Sequence, residues 1–153
     1  MMFGKRHKTY TRPRKAYDKV RIEDENSLVE KYGLKNKREI WKADAHVAVL
    51  RNRAKALIGK DLLLQKQFLE KLQKFGFKAE KLADVLALDK EDLLKRRLQS
   101  VVLARNLAST PRQARQLIVH KHVTVGERVV NIPSYLVLLH EESKIMLRRK
   151  HGN

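Results

Sequence analysis

Cysteine is absent from this 153-residue sequence, while proline (three) and glycine (six) are sparse. Without cysteine there is no disulfide framework, no thiolate metal site and no cysteine nucleophile. Aromatics are also few, with one Trp, four Tyr and four Phe. No strand carries them in alternation, so a sheet that stacks RNA bases on aromatic rings is excluded. The longest uninterrupted apolar run, Tyr135 to Leu139, is far short of a membrane span. The basic N-terminus lacks the apolar stretch of a signal peptide. These features lead us to expect a soluble intracellular protein that makes no membrane contact.

Catalytic motifs are missing too. There is no glycine-rich phosphate loop, no GxSxG and no HExxH, so no catalytic residue is assigned and no enzyme is expected. The acidic groups Glu23-Asp24-Glu25 and Asp89 to Asp92 match no calcium-loop spacing and read as solvated helix termini. His120 and His122 flank the cation Lys121 and straddle a helix end, which argues against a metal pair. No metal and no cofactor are expected.

What is abundant is positive charge: 35 Lys plus Arg against 17 Asp plus Glu, a net +18. Residues 1–21 hold eight basic groups against Asp18 alone, and residues 22–30 are acidic at −4. Residues 31–60 carry nine basic against two acidic groups. Residues 61–92 are near neutral, and residues 93–140 again reach +7. A twofold excess of one sign goes beyond what solubility needs and points to a polyanion. Its division into three blocks points to several contact surfaces.

The chain divides in parallel with the charge. Residues 1–38 read as an extended basic arm, with a short helix over 26–33 ending near Gly33. From Glu39 the period becomes helical. Ile40, Ala43, Val47, Leu50, Ala54 and Leu57 form one stripe that Gly59 ends, with Arg51, Arg53 and Lys55 largely off it. Trp41 reads as a core or helix-packing residue. Leu64, Phe68, Leu72 and Phe75 share a face closed by Gly76. Residues 39–92 thus form a small helical domain, on which residues 141–153 are expected to pack back.

Residues 93–140 differ. Leu94, Leu98, Val101 and Val102 make a helix bearing Lys95, Arg96, Arg97 and Arg105 on its other faces. Thr110-Pro111 is a helix cap followed by proline at the first helical position. The helix it opens buries Ala114, Leu117 and Ile118. Val123-Thr124-Val125, Gly126-Glu127 and Arg128-Val129 then read as a type II′ hairpin, and Tyr135 to Leu139 as a fully buried strand. The fold class is α+β and mainly helical. Helix, turn, helix and basic hairpin leave two meanings open: a DNA-reading helix-turn-helix, or an RNA-binding module.

The residues themselves separate these. Arg96-Arg97-Leu98-Gln99, Ala108-Ser109-Thr110-Pro111-Arg112-Gln113-Ala114-Arg115-Gln116-Leu117-Ile118, His122-Val123-Thr124-Val125 and Val130-Asn131-Ile132-Pro133-Ser134-Tyr135 closely resemble the S-four (alpha-L) RNA-binding domain. That domain consists of two helices packed on a short hairpin or sheet. Upstream, Lys8-Thr9-Tyr10, Thr11-Arg12-Pro13-Arg14 and Tyr32-Gly33-Leu34-Lys35-Asn36-Lys37-Arg38-Glu39-Ile40-Trp41 resemble the small-subunit ribosomal protein S-four family in its archaeal and eukaryotic form. The likeness covers nearly the whole chain. Lys121 departs from the Gly common at its position, so the backbone there is expected not to use positive φ freely. Gln99 stands where Asp is frequent, which alters how the first helix is tied down. The zinc cluster of some bacterial members is impossible without cysteine.

The resemblance implies a structural, non-catalytic constituent of the cytoplasmic small ribosomal subunit. Such a protein binds small-subunit ribosomal RNA early, nucleates folding of its 5′ region, contacts neighbouring ribosomal proteins and incoming mRNA, and contributes to decoding accuracy. No homo-oligomer is expected. Its RNA contacts would be Arg96, Arg97, Arg112, Gln113, Arg115, Lys121, His122 and Arg128 in the domain, and Arg51, Arg53 and Lys55 on the helical unit. Lys5, Arg6, Lys8, Arg12, Arg14, Lys15, Lys35, Lys37 and Arg38 would reach RNA from the arm. The alternative from the same resemblance is a non-ribosomal relative, a ribosome-assembly factor or RNA chaperone. The Asn-Ile-Pro-Ser run disfavours it. An RNA-modifying enzyme with an appended domain would lack room for a catalytic unit.

Overall fold

A computed structural model describes residues 9–148. Lys5, Arg6 and Lys8 lie outside the described residues. Two apolar cores organise the chain, and each is built from elements that the sequence caps clearly.

The first core begins with α1 (Lys19–Tyr32), where Asp18 accepts a hydrogen bond from the Arg21 N–H at 3.3 Å and Gly33 closes the helix at φ 58°. It continues through α2 (Arg38–Leu57), α3 (Leu62–Lys74), α4 (Leu82–Ala87) and α5 (Lys90–Lys95). Ile40, Val47, Ala54, Phe68, Leu72, Val85 and Leu94 are buried together. The Asp92 carboxylate accepts from the Asp89 N–H (3.1 Å) and Asp84 from the Glu80 and Lys81 N–H groups (2.9 Å each). These acids therefore act as helix caps. No group of three or more potential metal-binding side chains occurs among the described residues.

The second core comprises α6 (Leu98–Ala104), α7 (Pro111–Val119), β1 (Val123–Val125), β2 (Arg128–Val129), α8 (Leu139–Glu142) and β3 (Ile145–Leu147). The sheet is antiparallel in the order β2-β1-β3, and Leu98, Val102, Ile118, Val123, Val137 and Ile145 fill it from one side. Positive φ at Gly126 and at no other hairpin residue is the signature of the expected type II′ turn. Thr110 caps α7 by accepting from the Gln113 N–H at 3.2 Å. The class is α+β and mainly helical. No helix of the described residues is long and apolar enough to cross a membrane.

Four expectations need correction. The helix expected over 26–33 does end at Gly33 but starts at Lys19, so residues 19–25 are helical rather than extended arm, and Leu28, Tyr32 and Leu34 enter the first core. Residues 145–147 do not return to the helical unit. They pair with β1, placing Ile145 opposite Val125. Tyr135 to Leu139 is no strand; it forms one bridge, Leu136 to Arg97, before α8. Finally, Leu94 and Leu98 belong to different helices and different cores, because the Leu98 N–H turns to the Tyr135 carbonyl (2.7 Å). The same stretch carries Arg96 and Arg97 across the junction.

Candidate nucleic-acid interface

At that junction the arginines face inward. Arg97 is only 6% exposed. Its guanidinium is paired with Glu39, whose other oxygen takes Arg115 at 3.0 Å. Arg115 also donates to the Gln99 side-chain oxygen (3.3 Å). Gln99, itself buried, directs its amide nitrogen at the carbonyls of Tyr32, Gly33 and Pro111 (2.8–3.0 Å). A Cβ on Gly33 would come within 2.7 Å of Pro111, so the two cores meet there too closely for any side chain. Burial opposes ionisation of Glu39. The hydrogen bonds and charges of Arg97 and Arg115 outweigh that penalty and hold its carboxyl below the ordinary value.

Arg96 spans the opposite side of the same junction. It donates to the Phe75 carbonyl (2.8 Å), the Val137 carbonyl (3.0 Å) and the Glu142 carboxylate (3.0 Å). Arg51 donates to the Leu88 carbonyl. Lys37 lies 3.5 Å from the buried carboxylate of Glu25, which also accepts from Trp41 Nε1 (2.8 Å) and Arg21 (2.9 Å). Five expected RNA contacts, Lys37, Arg51, Arg96, Arg97 and Arg115, thus have partners inside the protein. Charge composition could not reveal this, because each acceptor is a carbonyl or a carboxylate remote in sequence.

A second group faces outward. Arg112, Lys121 and Arg128 are exposed on α7, on the turn after it and on β2, with His122 half-buried between them. Lys121 takes φ 62°, so the chain does use the left-handed conformation there without glycine. The strain, on the order of 1 kcal/mol, is borne by the second core, whose α7 and β1 flank it. On either side of it His120 and His122 stack, with centroids 6.4 Å apart and planes 15° apart. Gln113 is exposed but locally occupied, accepting from the Ser109 N–H at 2.8 Å. Arg12, Arg14, Lys15, Lys35, Arg38 and Lys55 are exposed as expected, and Arg53 lies over the Phe68 ring at 5.4 Å.

Sequence reading missed Lys42 and His46. With Arg38 they recur every four residues, one edge of α2, and that spacing was the available signal. They border a cleft of about 480 Å³ between α2 and the Pro133–Leu136 segment.

A family model described as the S4 domain matches residues 96–143, the junction and the second core up to α8. Over 148 residues the chain is 43% identical to the small ribosomal subunit protein uS4 of Thermoplasma acidophilum, covering 91% of this chain and 74% of that protein. The chain belongs to the uS4 family. The uS4 proteins of Methanoregula boonei (39% identical over 93% of this chain and 83% of that one) and Methanosphaera stadtmanae (41%, over 92% and 81%) agree. The uS4 likeness runs through the first core as well as the S4 domain, so the inward arginine junction lies within the matched region.

Proposed function

We propose that this chain is a structural constituent of the small ribosomal subunit in the cytoplasm and binds small-subunit ribosomal RNA without catalysing a reaction. The observation that carries the reading is the outward set Arg112, Lys121 and Arg128 on an S4 domain. Further exposed cations, Arg12, Arg14, Lys15, Lys35, Arg38 and Lys55, continue the basic surface over the first unit. Arginine forks and lysine point charges on two rigid cores suit phosphates of several RNA helices, which are read by shape.

By family resemblance, the protein binds early, nucleates the 5′ region of that RNA, sits beside other ribosomal proteins and incoming mRNA, and acts as a monomer. The basic segment before α1, the first helical unit (residues 19–95) and the S4 domain (residues 96–147) would grip separate RNA segments. The alternative, an assembly factor, predicts occupancy of precursor particles alone.

Binding to a 5′ small-subunit RNA fragment, measured across salt concentrations, tests the reading. Each neutralised phosphate contributes about 0.7–0.9 to the log–log slope. We expect a slope steeper than about −2, and a shallower one contradicts a multi-phosphate footprint. Sedimentation of cell extract separates the alternatives: co-migration with mature small subunits supports the ribosomal role, and confinement to precursors supports the assembly factor.

A further inference from the structure

The cleft between the two units is chemically unlike the convex basic surfaces around it. One wall is the edge of α2 that presents Arg38, Lys42 and His46, all three exposed. Its floor is apolar, made by Ala43, Leu93 and Leu136, and Ser134 stands at the rim. At the back lie Arg97 and Arg115, which neutralise Glu39, the acid that lines the cleft. The Nε of Arg97 is buried and has no acceptor among the described residues, so donor capacity there is not fully used.

We propose that the cleft receives one unpaired nucleotide of the bound RNA, its base against the apolar floor and its phosphate on Arg38 and Lys42. This inference rests on the RNA-binding reading above. An A-form helix is convex and presents phosphates and ribose edges, so it contacts the rim alone. Only a nucleotide turned out of its stack has a planar apolar face joined to an anion that fits a concavity of this size. Burial of the base gives the contact an affinity that salt does not screen, unlike the phosphate contacts elsewhere. An acidic peptide is the competing occupant. It would use the cations and leave the apolar floor unmatched.

The test titrates the full chain with adenosine 5′-monophosphate, ribose 5-phosphate and a tetraglutamate peptide, following backbone amides by NMR. The nucleotide should shift the amides of Asn36, Ala43, Ser134 and Leu136, and ribose 5-phosphate should bind roughly tenfold more weakly for want of the base. Equal binding of the nucleotide and ribose 5-phosphate, shifts spread evenly over the basic surface, or tighter binding of the peptide would overturn the proposal. A second arm uses Ser134→Trp, which fills the rim of the cleft and alters no charge. Its affinity for the RNA fragment should fall about tenfold, with the salt slope shallower by no more than the one phosphate lost, about 0.7–0.9. Wild-type affinity in this variant would contradict the cleft alone. Absence of salt-dependent RNA binding by the unmodified chain would contradict the wider reading.

Discussion

The basic residues of the junction and those of the outer S4 face have the same chemistry and opposite employment. Arg96, Arg97 and Arg115 end on carbonyls and carboxylates of this chain, whereas Arg112, Lys121 and Arg128 end in solvent. The difference lies in what stands opposite each side chain. Glu39, Glu142 and the carbonyls of Phe75 and Val137 converge where the two cores meet, and a guanidinium is the one side chain with enough donors to satisfy them. Among the described residues, the side chains of Arg112, Lys121 and Arg128 are exposed and make no such bond. A basic protein can thus spend part of its charge on holding itself together before any RNA is present.

The largest effect expected is from Arg97→Ala. It leaves half-buried Glu39 with Arg115 alone, and losing a hydrogen bond between charged groups costs about 1.5–3 kcal/mol. Urea unfolding reads this directly. If stability is unchanged, the junction is no staple.

Acid should act on the same pair. The folded-state pKa of Glu39 lies below its unfolded value of about 4.3, so its contribution is fully present above that pH and disappears as pH falls through the folded value. Glu39→Gln should therefore be less stable than the natural chain at neutral pH, and the gap should narrow on acidification below about pH 4. A gap that is constant between pH 7 and pH 3 would show that the charge of Glu39 contributes nothing.

On the outer face the two effects separate. Lys121→Gly removes a side chain from a left-handed position, so the protein should gain up to about 1 kcal/mol. It should also lose about 0.7–0.9 of salt slope in RNA binding. Smaller still is the stability effect of Arg112→Ala, within about 0.5 kcal/mol, because that exposed side chain has no described partner to lose. Its RNA slope should nonetheless fall by about one phosphate. Pairing Arg112→Ala with Arg115→Ala would confuse the two classes, since Arg115 is bonded to Glu39 and Gln99.

Where the sequence was legible, the reason is local. Gly59, Gly76 and Thr110-Pro111 end or start helices by their own backbone requirements, and Gly126 sets the hairpin turn. The first half of helix α1 escaped because its core-facing apolar residues, Leu28 and Tyr32, lie near the other end and are too few to establish a period. The rest of its buried side is Glu25, a carboxylate held by Trp41, Arg21 and Lys37. Strand β3 is three residues long, and only its pairing with β1 identifies it. The basic site divided along the same line. Arg112 and Lys121 could be read from their helix-end positions, but the inward turn of Arg97 depends on Glu39, 58 residues away.

The central claim, that the cations form an inward staple and an outward RNA face, is tested most directly by comparing two charge-matched variants. These are Arg115→Gln at the junction and Arg128→Gln on the outer face, each carried through urea unfolding and RNA binding over a salt series. The account predicts that Arg115→Gln loses at least about 1.5 kcal/mol of stability and keeps the natural salt slope. Arg128→Gln should keep its stability and lose about 0.7–0.9 of slope. The reverse pattern, with Arg115→Gln as stable as the natural chain but shallower in slope, would contradict it.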